Sequence, residues 1–219
     1  MNHLAPPTAD VFPNLPHDRL ALRRLPFRKL PGSTHFLFAL HPAIQSRYNP
    51  AMPMTPFMER FPELGARETR SLTVTRRSDL PDGDYGFIEL YCNAPDCDCR
   101  RVTIFVLLPD TGWKVWATLS YGWESLSFYQ KWASAPEPLD PLEWQGPYLD
   151  PLAEQTQYAP VFLDLFKVIL RSPGYGQRLK NHYQLFRAAV EEECANRNRT
   201  QRDQAGRRST RRQGANKSG

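Results

Sequence analysis

Three of the chain's four cysteines, Cys92, Cys97 and Cys99, fall within eight residues, between two apolar runs that read as strands. Residues 85–92 lead into them and residues 102–108 lead out. Both runs are rich in aromatic and branched side chains, the composition that suits a pleated, buried surface. The link between them is too short for a crossover, so the two strands must lie antiparallel with the cysteines at the bend. Cys97 and Cys99 are two apart, so in an extended segment they point the same way, with Cys92 closing the loop from the far strand. They are also too close in sequence to pair comfortably as a disulfide.

The strands on either side extend this hairpin. Residues 69–75 alternate and are rich in Thr and Val, and residues 80–84 supply Pro, Asp and Gly for a turn. Residues 102–108 are almost continuously apolar, the pattern of a central strand buried on both faces. A turn at 109–112 precedes a fourth strand at 113–121, on which Trp113, Val115, Ala117, Leu119 and Tyr121 share one face and Trp116 lies on the other. Short connections make an antiparallel four-stranded meander the simplest arrangement. All five tryptophans lie between 113 and 144, most simply beneath a covering segment. Short helices are expected near 56–61 and 124–132.

Helical periodicity takes over near residue 156. Tyr158, Val161, Phe162, Leu165, Phe166, Ile169 and Leu170 form one stripe, which Ser172-Pro173-Gly174 ends. A last helix runs from about 176 to 193, its stripe Leu179, His182/Tyr183, Phe186 and Ala189/Val190. The expected fold is therefore α+β: an antiparallel four-stranded meander with two C-terminal helices packed on one face. Residues 1–30 are expected as an irregular Pro-rich arm, 31–196 as a single α+β domain and 197–219 as a basic disordered tail. Of the 21 prolines, many fall in the N-terminal third and break any helix there.

Charge separates the tail from the body. The formal net charge is +5, yet residues 197–219 alone hold eight Lys/Arg against Asp203, which leaves the rest of the chain slightly acidic. The body is thus no basic nucleic-acid-binding fold, although the tail offers sequence-blind, salt-sensitive contact with nucleic acid. No stretch is apolar for long enough to cross a bilayer, and no leader pattern stands at the start. The chain reads as cytoplasmic, with no membrane partner and with thiols kept reduced. Clustered cysteines then point to a metal rather than to disulfides.

Zinc takes four N or S ligands in a tetrahedron, and Cys92, Cys97 and Cys99 supply three. His182 is the expected fourth, because it stands on the apolar stripe of the last helix, the face that packs on the sheet. Cys194 is a rival about 18 Å further along the same helix, so the two could not ligate one metal together. An oxygen from Asp96 or Asp98, or a water, is the third option, and a water would leave an open position. Asp96 and Asp98 read as turn-forming carboxylates that pair with Arg100 or Arg101, or as a general base.

The pattern Tyr85…Glu89-x-Tyr91-Cys92-x4-Cys97-Asp98-Cys99-Arg100-Arg101-Val102, then Leu149-Asp150-Pro151-Leu152-x2-Gln155-x2-Tyr158-Ala159-Pro160, then Tyr175-x6-His182-Tyr183-x2-Phe186, resembles a group of uncharacterised bacterial proteins. Many of those carry a C-terminal SEC-C zinc motif, which is absent here since no cysteine follows Cys194. The resemblance implies a cytosolic bacterial protein with a Cys/His site, and no established activity. Three functions are then open. One is a structural zinc site of Cys92, Cys97, Cys99 and His182 in a module that binds a protein partner. Another is a metal-dependent hydrolase or nuclease with an open metal position. The last is nucleic-acid association through the tail. No Gly-rich phosphate loop, H-E-x-x-H or G-x-S-x-G supports the common enzyme classes.

Overall fold

A computed structural model describes residues 20–24, 54–108, 111 and 114–215. The expected arm at 1–30 and covering segment at 31–53 lie outside these residues, except for one strand, β1 (Leu20–Arg24). The next elements are a short strand β2 (Met54–Pro56) and two helical turns, α1 (Phe57–Arg60) and α2 (Pro62–Glu68). The meander follows as β3 (Arg70–Val74), β4 (Gly83–Cys92), β5 (Arg101–Leu108) and β6 (Lys114–Gly122). After it come α3 (Leu126–Trp132), α4 (Pro141–Trp144) and β7 (Gly146–Leu149), then the long helices α5 (Ala159–Leu170) and α6 (Tyr175–Ala215).

The expected α+β fold and its meander are present. The sheet order is β1-β3-β4-β5-β6-β7, every neighbouring pair antiparallel. β4 is long enough to take two partners along one edge. β3 pairs with its first half and β2 with its last residues, with Met54 opposite Cys92. β1, β2 and β7 extend the sheet beyond the four strands read from the sequence. Each is five residues or fewer, too short to show a period.

Alternation along the strands divides the core. Tyr85, Phe87, Tyr91, Val102, Ile104, Val106, Ala117 and Leu119 face α5 and α6 and form the main core with Phe162, Phe166, Leu179 and Phe186. Ile88, Leu90, Phe105, Leu107 and Val115 lie on the opposite face with Met58 of α1. That side assignment corrects the strict alternation expected for β6. Val106 pairs with Ala117 and Leu107 with Val115, so Trp116 is an extra residue in a bulge. The bulge puts Val115 on the second face and returns Trp116 to the helical face, where Tyr85 and Tyr158 pack on it at 5.7 and 5.2 Å between ring centroids. The cover expected over this tryptophan is thus supplied by α5 and its approach. Trp113 lies outside the described residues.

α6 runs through the segment expected as a disordered tail. Its last proline is behind it at Pro173, and Arg, Gln, Glu and Ala, all good helix formers, dominate beyond Val190. The buried stripe nevertheless stops at Val190, and residues 195–202 are exposed. The helix packs only along its first half and continues without a partner among the described residues.

On the second face, α3 and α4 close over the end of β6. The approach is so close at Gly122 that an added Cβ would lie 2.4 Å from the Trp144 carbonyl oxygen and 2.7 Å from the Tyr129 hydroxyl. A backbone atom cannot rotate away, so Gly122→Ala is expected to lower stability by about 2 kcal/mol, measured as a shift of the urea midpoint at unchanged slope.

Candidate metal centre

The loop between β4 and β5 is built to fold back on itself. Pro95 and Asp96 form a tight turn closed by the Cys97 amide donating to the Ala94 carbonyl at 3.2 Å. Proline at the second position presets the backbone angle that turn needs. The chain then re-enters β5 through Arg100, whose φ of 45° lies in the left-handed region that costs a residue with a side chain about 1 kcal/mol. Two tyrosines hold it there. The Arg100 amide donates to the Tyr183 hydroxyl at 3.4 Å, and the Tyr129 hydroxyl donates to the Arg100 carbonyl at 2.9 Å. This doubling-back gathers the sulfurs of Cys92, Cys97 and Cys99 within 4.8 Å of one another. Cys92 and Cys99 are buried and Cys97 is half-buried.

The sulfurs interact with one another even without a cation. Hydrogen bonds from the Cys97 and Cys99 thiols stabilise the Cys92 thiolate and pull its pKa down to about 3. The same proximity pushes the Cys97 and Cys99 thiols up, because ionising would give up the hydrogen bond each donates to Cys92, and burial and the neighbouring negative charge add to the effect. The cluster therefore holds one negative charge easily and resists a second and third. A cation removes that resistance, and three converging sulfurs are a donor set that could hold a metal ion.

His182 is not one of the donors gathered there. Its Nδ1 lies 2.6 Å from Glu89 Oε2 and its Nε2 lies 3.1 Å from Glu68 Oε2, so both ring nitrogens are engaged by carboxylates. The ring stacks on Phe57 at 4.0 Å between centroids and is buried. It faces the sheet as expected, but meets β4 at Glu89, before the strand reaches Cys92. Its partner is Glu89, a carboxylate inside an otherwise apolar strand. Cys194 is also outside the sulfur cluster, beside Asn198 on the exposed part of α6.

The helix still reaches the cysteine loop, through Tyr183 and Arg187. The Tyr183 hydroxyl donates to Asp98 Oδ1 at 3.1 Å. Arg187 is buried and donates through Nη1 to the Ala94 carbonyl at 2.7 Å and through Nη2 to the Pro95 carbonyl at 2.6 Å. Asp98 in turn pairs with Arg100 at 2.9 Å, the structural role considered for it in the sequence, while Asp96 is exposed. Arg100 also reaches Glu124.

Beyond the sulfurs, away from α6, lies a cavity of about 420 Å³. The second face of the sheet forms its floor. Alternation places Cys92 in line with Leu90, and Thr103, Ser120 and Tyr148 follow one another across β5, β6 and β7 in register. The Ser120 hydroxyl donates to Asp150 Oδ2 at 3.0 Å, and the Leu152 amide donates to Asp150 Oδ1 at 3.0 Å. Trp132, Trp144 and Leu152 form the outer wall, and Met54 lies beside Cys92. Arg101 borders the same space with its guanidinium 4.7 Å from the Trp144 ring and 4.9 Å from the Tyr129 ring. No sequence pattern points to this cavity, because β7 and α4, which bound it, are too short to show one.

No protein family, curated protein or solved structure matches the chain. Among the described residues no helix is long and apolar enough to cross a membrane.

The pair formed by His182 and Glu89 is buried on both sides, at 3% exposure each, so removing the imidazole leaves a buried carboxylate with only the Tyr91 hydroxyl to donate to it. His182→Ala is expected to lower stability by about 3 kcal/mol or more, while the metal bound per folded chain stays unchanged. Denaturant unfolding and elemental analysis of the same preparation test both halves.

Proposed function

We propose that this chain is a zinc-binding domain in which Cys92, Cys97 and Cys99 hold the metal and the fourth position opens on the adjoining cavity. The observation that carries the reading is the convergence of three sulfurs within 4.8 Å from a loop that no disulfide closes. Thiolates suit a soft or borderline ion such as zinc better than a hard one such as magnesium. The proposed set replaces the closed Cys3His site, since His182 serves two carboxylates instead.

A site with three protein ligands and one free position is the arrangement of zinc centres that take up a further molecule, whereas purely structural centres use four protein ligands. The metal would still tie the loop together. The loop itself is already fixed to α6 by Tyr183 and Arg187, which leaves the fourth position to serve binding rather than folding. Hydrolysis with Asp98 as base gains no support, because that carboxylate is paired with Arg100 and Tyr183. A role as an interaction module remains the companion reading, with the exposed Arg197, Arg199 and Arg202 of α6 as the surface a nucleic acid or acidic partner would meet.

Serine at any one of Cys92, Cys97 or Cys99 is expected to lower zinc affinity at least about a hundredfold, while Cys194→Ser leaves it intact. Competition with a zinc-chelating dye measures both. Zinc content that survives all three single substitutions would refute the site.

Binding is also expected to depend steeply on pH. The Cys92 thiol is already ionised at pH 7, whereas those of Cys97 and Cys99 are held above their ordinary value. Binding all three as thiolates therefore expels two protons near neutral pH. Protons compete with the metal, so each unit of lowered pH should weaken affinity about a hundredfold, as proton release in buffers of different ionisation heat would show by calorimetry.

A further inference from the structure

We propose that the cavity beside the cysteines binds a small organic thiol with an apolar body, whose sulfur completes the metal's coordination. The inference rests on the three-thiolate metal reading above and adds the class of ligand.

Three features of the cavity carry it. First, Cys92, Cys97 and Cys99 form one end of its wall, and no histidine, further cysteine or carboxylate oxygen joins their cluster among the described residues. A ligand within the cavity thus reaches the metal position without displacing a protein donor. Second, a volume of about 420 Å³ falls within the range of small-molecule sites. Third, the chemistry of the wall selects among donors. Trp132, Trp144, Pro151 and Leu152 offer apolar surface, while Glu143 and the buried Asp150, bonded to Ser120 of the floor, add carboxylates to the lining. A phosphate or polycarboxylate would bring its charge in against these carboxylates and against three thiolates. A thiol arrives neutral and loses its proton only on coordination, where a metal deprotonates it outright.

The step balances simply. The S–H bond of the thiol breaks, a metal–sulfur bond forms, the proton passes to solvent, and no atom changes oxidation state. Arg101, held among Tyr129, Trp132 and Trp144, supplies the nearest positive charge on the cavity wall to offset the fourth thiolate.

The test uses the full chain loaded with Co2+, whose visible and near-ultraviolet bands report coordination geometry and the number of sulfur ligands. The probe is 2-phenylethanethiol, and 2-phenylethanol is the control with the same body and no sulfur. The expected result is a saturable rise of the sulfur-to-cobalt charge-transfer band with the thiol and none with the alcohol, the cobalt remaining bound throughout. Leu152→Trp, a change at an exposed position on the outer wall, should leave the cobalt spectrum intact and weaken the thiol response about tenfold. A tetrahedral cobalt spectrum that the thiol does not alter, a response equal in Leu152→Trp, or removal of cobalt by the thiol overturns this inference and leaves the three-cysteine site standing. Failure of cobalt to bind at all removes the metal reading and this inference with it.

Discussion

The docking of one helix on one hairpin fixes almost everything else in this molecule. Along the buried stripe of α6, His182 pairs with Glu89 inside β4, Tyr183 holds Asp98 and the Arg100 amide, and Arg187 holds two successive carbonyls of the loop. These three contacts span little more than one helical turn. Without Arg187, the Pro95 carbonyl would lose its donor, at a cost of about 1 kcal/mol or more, and the Ala94 carbonyl would keep only the Cys97 amide. Without Tyr183, the left-handed Arg100 would lose one of its two supports. The sulfurs converge because the loop is held in this doubled-back form.

The same arrangement separates two kinds of polar chemistry to the two faces of the sheet. On the helical face His182 meets Glu89 and Glu68, and Tyr91 donates to Glu89. Burying such groups is costly unless each has a partner, and here their role is to set the register of helix against strand. On the second face the sulfurs open on a cavity whose floor holds Thr103, Ser120 and Tyr148. Strand alternation places Cys92, because Glu89 and Tyr91 point one way while Leu90 and Cys92 point the other, and the doubled-back loop brings Cys97 and Cys99 to it.

Much of this was legible in the residues. The meander, the two helices and the buried stripe of α6 followed from periodicity, and the cysteine loop followed from its position between two apolar runs. His182 was read as facing the sheet, and it does. An incomplete cysteine set draws attention to it as a ligand, but its partner is Glu89, a carboxylate alone among Phe87, Ile88, Leu90 and Tyr91. A buried acid in a strand and a buried histidine on a helix are each other's most economical solution, and that was the signal available. Arg187 could not be found in this way, since its acceptors are backbone carbonyls that any sequence would carry. The bulge at Trp116 was equally hidden, because a single inserted residue leaves the composition of the strand unchanged. The cavity depends on β7, α4 and Gly122, elements too short to leave a periodic trace.

The central claim is that three sulfurs from one loop, and no nitrogen from α6, hold a metal whose last position faces the cavity. X-ray absorption at the zinc edge of the purified, zinc-loaded protein addresses it most directly. The expected spectrum has one zinc per chain with three sulfur neighbours near 2.3 Å and one lighter atom without the multiple-scattering pattern of an imidazole. A clear imidazole contribution, or fewer than three sulfurs, would contradict the account.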